Sequence, residues 1–345
     1  MDLRHRRHPT PSQPRRRGSI LLATVTAILL GAAALAGCVP IQPVAAGGTH
    51  ADDLGTPVGD QPVRQGGHLV MGLSAEPDRL DPTTSTSLYT RYVMSSICEK
   101  LYDLDAAGTI VPQLATDLPT VSPDGLTVSF GVRAGARFAD GTPFDAAAVR
   151  TSLQRHVAFK GSARRSEMGP LADVEAPDPG HVVLRFRQPF APITAALADR
   201  AGMIMSPAAL AAEGANFGDH PVCVGPFKYA GRVAQTSIDV VRDPLYYAAD
   251  QVHLDAITYR IMPDTVARAA NLRSGDVHVA DSISPQDVDA LAKDRHLRVL
   301  QSSSLGYQGI TINIGNVDGA GTPPKPIDSP FARDPRVRQA FADAI

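Results

Sequence analysis

A single long apolar run, Ile20 to Ala36, sits between an arginine-rich head and a cysteine. Its 17 residues fall short of the about 20 that a transmembrane helix needs. No second run of that length occurs, which excludes a polytopic membrane protein. Upstream stand six arginines, at 4, 6, 7, 15, 16 and 17, against one acid, Asp2. A basic head before an apolar stretch is the pattern of an export signal. Residues 1–37 therefore read as an address, and the fold must be built from residue 38 onward.

The run ends in Leu35-Ala36-Gly37-Cys38, which resembles the bacterial lipobox. Small residues at 36 and 37 let a peptidase reach the bond before Cys38, and the Cys38 thiol is then expected to carry lipid that holds the protein at the membrane surface. An uncleaved signal anchor is the alternative. Arg16-Arg17 also permits twin-arginine export, although Gly18-Ser19 fit its apolar positions poorly. Residues 38–66 are rich in Gly, Pro, Asp and Gln without apolar periodicity, and read as a flexible tether.

Composition narrows the body. With 43% hydrophobic and 20% charged residues the chain is globular rather than disordered. At about 100–200 residues per domain its length suggests two domains or one large one. Removing the signal leaves 27 basic against 34 acidic residues. The mature body is therefore mildly acidic and no nucleic-acid partner is expected. Three cysteines exclude a disulfide-dense scaffold or a four-cysteine zinc site.

Periodicity gives a mixed α/β succession. Strands are expected at 67–73, 126–133, 181–187, 227–231, 236–242, 255–262, 277–281 and 308–314. Helices are expected at 88–101, with Val93, Ile97 and Leu101 four apart, and at 144–157. Ser206-Pro207 opens a short helix closed at Gly214, Asp264 caps one ending before Gly275, Ser284-Pro285 opens another, and Asp334-Pro335 opens the last.

Several segments, in this order, resemble the family-5 extracellular solute-binding proteins, which include oligopeptide and dipeptide receptors of bacterial ABC importers. They are Gly66-Gly67-His68-Leu69-Val70, Leu80-Asp81-Pro82, Ile97-Cys98-Glu99-Lys100-Leu101-Tyr102-Asp103 and Val111-Pro112-Gln113-Leu114-Ala115. The most specific runs from Phe130 through Phe138-Ala139-Asp140-Gly141-Thr142-Pro143-Phe144. Ser206-Pro207, Val224-Gly225-Pro226-Phe227, Leu272-Arg273-Ser274-Gly275-Asp276-Val277 and Pro335-Arg336-Val337-Arg338-Gln339-Ala340 complete the series. The resemblance implies a two-lobed α/β fold of the type II periplasmic-binding-protein kind. Residues 67–102 and 189–263 would form lobe one, 103–188 an inserted subdomain, and 264–345 the start of a lobe two cut short at Ile345. It implies an extracytoplasmic lipoprotein that hands a peptide or other small solute to ABC permease subunits. The same fold with a nickel-chelate, oligosaccharide or opine ligand, or a surface sensor or adhesin, stays open.

Enzymatic motifs are missing. Gly72-Leu73-Ser74-Ala75-Glu76 lacks the second glycine of a nucleophile elbow, there is no phosphate loop and no His-Glu-x-x-His, and no cofactor or metal is expected. Asp103-Leu104-Asp105 starts like a calcium loop but lacks the later acids. Cys98 and Cys223, an even pair once Cys38 is lipidated, are expected to form a disulfide in an exported protein, with two buried thiols as the alternative. The segment after Leu80-Asp81-Pro82 runs along the cleft in the family. Its Ser85, Thr86, Ser87, Leu88 and Tyr89 are therefore candidate ligand contacts, or else a capping loop for the helix behind them. Asp281 and Asn313, at strand ends assigned to lobe two, are further candidates.

Overall fold

The computed structural model describes Gly55 and residues 62–302, 309–318 and 323–344. The expected export signal, most of the expected tether and Cys38 lie outside the described residues. The chain divides into a compact unit Gly55–Val299 and a second unit that holds Leu300–Ile345.

The first unit opens with β1 (His68–Leu73) and α1 (Leu88–Ile97). Next come β2 (Tyr102–Leu104), β3 (Ile110–Pro112), β4 (Thr120–Val121), β5 (Thr127–Gly131), α2 (Ala146–Ala158), β6 (Leu171–Asp178), β7 (His181–Phe186) and α3 (Ile193–Ala196). It continues through α4 (Pro207–Glu213), β8 (Phe227–Val233), β9 (Ser237–Arg242), β10 (Ala256–Ile261), α5 (Thr265–Ser274), β11 (Val279–Ala280) and α6 (Pro285–Ala292). The second unit contributes α7 (Pro330–Arg333) and α8 (Pro335–Asp343).

Two larger sheets organise the first unit, beside the small β2-β3 pair. One has the order β11-β1-β10-β9-β8. β1 runs parallel to both neighbours, pairing His68 with Ala256 and Met71 with Val279. Val93, Met94 and Ile97 of α1 pack on Leu73, Ile238, Val240, Ile257 and Tyr259 of this sheet. The other sheet, β4-β5-β7-β6, is antiparallel. Its core joins Val128, Phe130, Val182 and Leu184 to Val149 and Leu153 of α2.

A disulfide lies where the two cores meet. Cys98 and Cys223, both fully buried, form a disulfide with Cα atoms 4.9 Å apart. Around it Glu99 N donates to Val224 O and Leu101 N to Gly202 O, at 2.7 and 2.9 Å. The second core thus lies almost wholly within the stretch between the two cysteines. Glu99, itself buried, accepts from the hydroxyls of Tyr246 and Tyr247, the latter under the Arg133 guanidinium.

The expected motifs prove to be joints. Gly141 has φ +85° and its N–H closes a turn onto Phe138 O at 2.8 Å. Asp140 accepts from Thr142 N at 2.9 Å and from Ser206 Oγ, and Ser206 in turn caps α4. Two segments 66 residues apart are therefore cross-linked by one carboxylate. Burial pushes the Asp140 carboxyl up, but the bonds from Ser206 and Thr142 outweigh it and hold it below its usual range. Gly225 is needed for a different reason: a Cβ there would lie 2.2 Å from Ile97 O.

Three expectations change. The helix from 88 ends at Ile97, because Cys98 turns extended (φ −122°), and Leu101 is buried in the other core. No strand covers the described residues 309–314: Ile310 and Ile314 are exposed, and without a partner ladder an extended segment is not a strand. The boundary expected at 263/264 falls inside the first sheet. The chain passes from β10 through α5 to β11, on the far side of β1, a βαβ crossover that returns it to that sheet.

Candidate functional site

In an open sheet, ligands settle at the carboxyl ends of parallel strands, where side chains of successive loops converge. Here β1, β10 and β11 are the parallel strands. Ser74 is the first residue beyond β1, and Asp281 the first beyond β11. Adjacent parallel strands end at the same edge, so two residues 207 apart meet. Ser74 N donates to Asp281 Oδ1 at 2.7 Å. Ser74 Oγ lies 2.9 Å from Asp281 Oδ2 and 2.9 Å from the Tyr89 hydroxyl. One hydroxyl has one proton to give. Donated to the carboxylate, it leaves the serine lone pairs to accept from the phenol.

Tyr89 reaches this point because α1 starts at Leu88, capped by Ser87 Oγ accepting from Tyr89 N at 3.1 Å. Tyr92 stands one turn on, its ring edge-on to Tyr89 at 6.1 Å. Burial, then the nearby Asp281 charge, raise the Tyr92 phenol above its ordinary value. Ser74, Tyr89, Tyr92 and Asp281 are all half-buried. The result is an anionic point flanked by two aromatic rings and a hydroxyl, suited to a cationic nitrogen with apolar surroundings.

Of the residues singled out from sequence, Tyr89 and Asp281 are brought together, and Ser74 and Tyr92 are additions. The only sequence signal for Ser74 is its place directly after the first buried strand. The rest of the Ser/Thr stretch is held by protein groups. Thr86 N and Oγ1, and Ser87 N, donate to Asp78, which also accepts from Thr90 Oγ1 and Arg79 N. Burial raises the Asp78 carboxyl, but these bonds outweigh it and bring it down to about 2. Ser85 is buried, and its carbonyl accepts from Arg164 at 3.0 Å and Arg200 at 3.2 Å. Leu88 is 48% exposed beside them. Asn313 belongs to the second unit, where its side chain closes a local turn with Gly315 and Asn316.

A cavity of about 280 Å³ borders this stretch, lined by Asp78, Arg79, Asp81, Thr84, Asp219 and Arg232 among others. Its charges are largely committed: Arg155 grips Asp81 bidentately at 2.8 and 2.9 Å, and Arg232 holds Glu76. Among the described residues no three His, Cys, Asp or Glu gather as a metal site, and no helix is long and apolar enough to cross a membrane.

Residues 109–345 match the family model of the bacterial extracellular solute-binding proteins, family 5 Middle. The chain belongs to this family. It is 31% identical over 278 residues to the glutathione-binding protein GsiB of Escherichia coli O1:K1, covering 80% of this chain and 52% of that protein. The solved structure of AgaA from A. tumefacien R10 with agropinic acid is 33% identical, with a TM-score of 0.63 over 66% of this chain and 46% of AgaA. The fold is also that of DppA from Helicobacter pylori, solved with the peptide STSA, at 24% identity and a TM-score of 0.60 over 67% of this chain and 50% of DppA. The described body thus has the mixed α/β architecture of type II periplasmic binding proteins. The chain spans about half the length of the curated relatives it matches.

Proposed function

We propose that this chain is the solute-binding component of an ABC importer, exported and lipidated at Cys38, that captures a peptide-like solute and presents it to permease subunits. It makes and breaks no bond itself. Capture proceeds by hinge closure around the solute. Among the relatives, a glutathione-binding protein and structures bound to agropinic acid and to a peptide support an amino-acid-derived ligand over a neutral sugar.

The observation that carries the reading is the meeting of Asp281, Ser74 and Tyr89 at the parallel-strand edge. A carboxylate there takes the ammonium group of the solute, with Tyr89 and Tyr92 packing its methylenes. Calorimetric titration of the full-length protein with glutathione, trialanine, N-acetyl-trialanine and agropinic acid tests this. Amine-bearing ligands should bind at least about tenfold more tightly than the acetylated peptide, and Asp281→Asn should remove that preference. Equal binding of trialanine and its acetylated form, or an Asp281→Asn variant indistinguishable from wild type, would sink the reading. Metabolic labelling with palmitate, lost on Cys38→Ala, checks the anchor.

A further inference from the structure

Arg268 is among the largest wholly buried side chains, 1% exposed on the first turn of α5. A buried guanidinium ordinarily has a carboxylate partner, yet among the described residues no ion pair includes it. It is satisfied by four backbone carbonyls instead. Nε donates to Asp281 O at 3.0 Å and Nη2 to Ser282 O at 2.7 Å, while Nη1 donates to Met262 O and to Pro263 O, the latter at 3.3 Å. These carbonyls belong to two separate passages: 262–263 leaves β10, and 281–282 leaves β11. One planar fork therefore staples the two strand exits on either side of β1.

The staple bears on the carboxylate described above. Ser282 is one of two non-glycine residues with positive φ among those described, at +48°. Such a backbone persists only where its surroundings over-determine it, and the Arg268 bonds to the carbonyls of Asp281 and Ser282 supply that constraint. Gly72, on β1 beneath, completes the fit: a Cβ there would lie 3.4 Å from Arg268 Cγ and 3.3 Å from Met262 Sδ.

We infer that Arg268 is the positioning residue of the Asp281 site, fixing the 281–282 backbone so that the carboxylate meets Ser74 N–H and Oγ. The inference rests on Asp281 being the ligand contact. Lysine does not replace it, since a point charge with three donors cannot hold four carbonyls in two passages.

The test needs no ligand. Hydrogen exchange is followed at single residues in the full chain, wild type against Arg268→Lys. The Ser74 amide, which donates to Asp281, is the reporter; the Thr86 amide, which donates to Asp78, is the control. Positioning by Arg268 is expected to speed Ser74 exchange at least about tenfold while Thr86 stays within about twofold. Unchanged Ser74 exchange overturns the inference. A parallel rise at both amides, or a variant that does not fold, overturns it too, because Arg268 would then be a general structural residue. Asp281→Asn titrations separate the two ideas. If that variant binds solute as wild type does while Ser74 still loses protection in Arg268→Lys, Arg268 positions a carboxylate that is not a ligand contact, and the site reading alone fails.

Discussion

Replacing both Cys98 and Cys223 with alanine should cost the protein about 5 kcal/mol. The two cysteines are 125 residues apart. In the chain-entropy model a cross-link over that distance removes about 16 cal/mol/K from the unfolded ensemble, or about 5 kcal/mol at 25 °C. The compact unit Gly55–Val299 has an unfolding entropy of about 0.5 kcal/mol/K on per-residue averages, so the midpoint should fall by about 10 °C. Because the cross-link acts on the unfolded chain, solute affinity measured well below the midpoint should not change. The assay is paired thermal melts of the full-length protein, wild type and double variant, with and without reductant. Reduced wild type should melt close to the variant. A shift under about 2 °C, or two titratable thiols besides Cys38 in unfolded, unreduced wild type, would refute the reasoning.

Removing one partner of a buried pair should be nearly as damaging. Arg155→Met leaves Asp81, only 3% exposed, with an uncompensated charge, and about 3–5 kcal/mol should be lost in urea titrations. His156 is fully buried and its imidazole is held down to about 3, mainly by burial. The unfolded chain binds that proton near 6.5 and the folded one does not. Stability should therefore fall with acidification between those values, by up to about 1.4 kcal/mol per pH unit, and His156→Gln should flatten that slope in denaturant midpoints taken across it. Gly225→Ala places a Cβ 2.2 Å from Ile97 O; a loss of about 1–3 kcal/mol or more is expected in the same assay.

Much of the scaffold was legible because its signals are local. Ser206, Asp264 and Asp334 each accept a backbone N–H where a cap was expected, since a short polar side chain before an apolar turn has one dominant use. The alternation over Thr127–Gly131 and His181–Phe186 likewise requires a half-buried strand. The site was less legible. Thr86 and Ser87 carry hydroxyls equally suited to a solute or to a neighbouring carboxylate, and only the fold shows that Asp78 takes them. Ser74 and Asp281 are ordinary residues until two strands 207 positions apart lie side by side. The expected strand at 308–314 had the right composition, but a ladder depends on a partner that one segment cannot specify.

The parallel pairing of β1 has a consequence in time. Its partners lie 188 or more residues downstream, so the first strand among the described residues to leave the ribosome is among the last to be paired. Until β10 is available, β1 has no edge to join, and the closure of so long a loop makes its docking slow. The first sheet cannot be completed until β11 has been made, and Asp281 takes its place beside Ser74 only then.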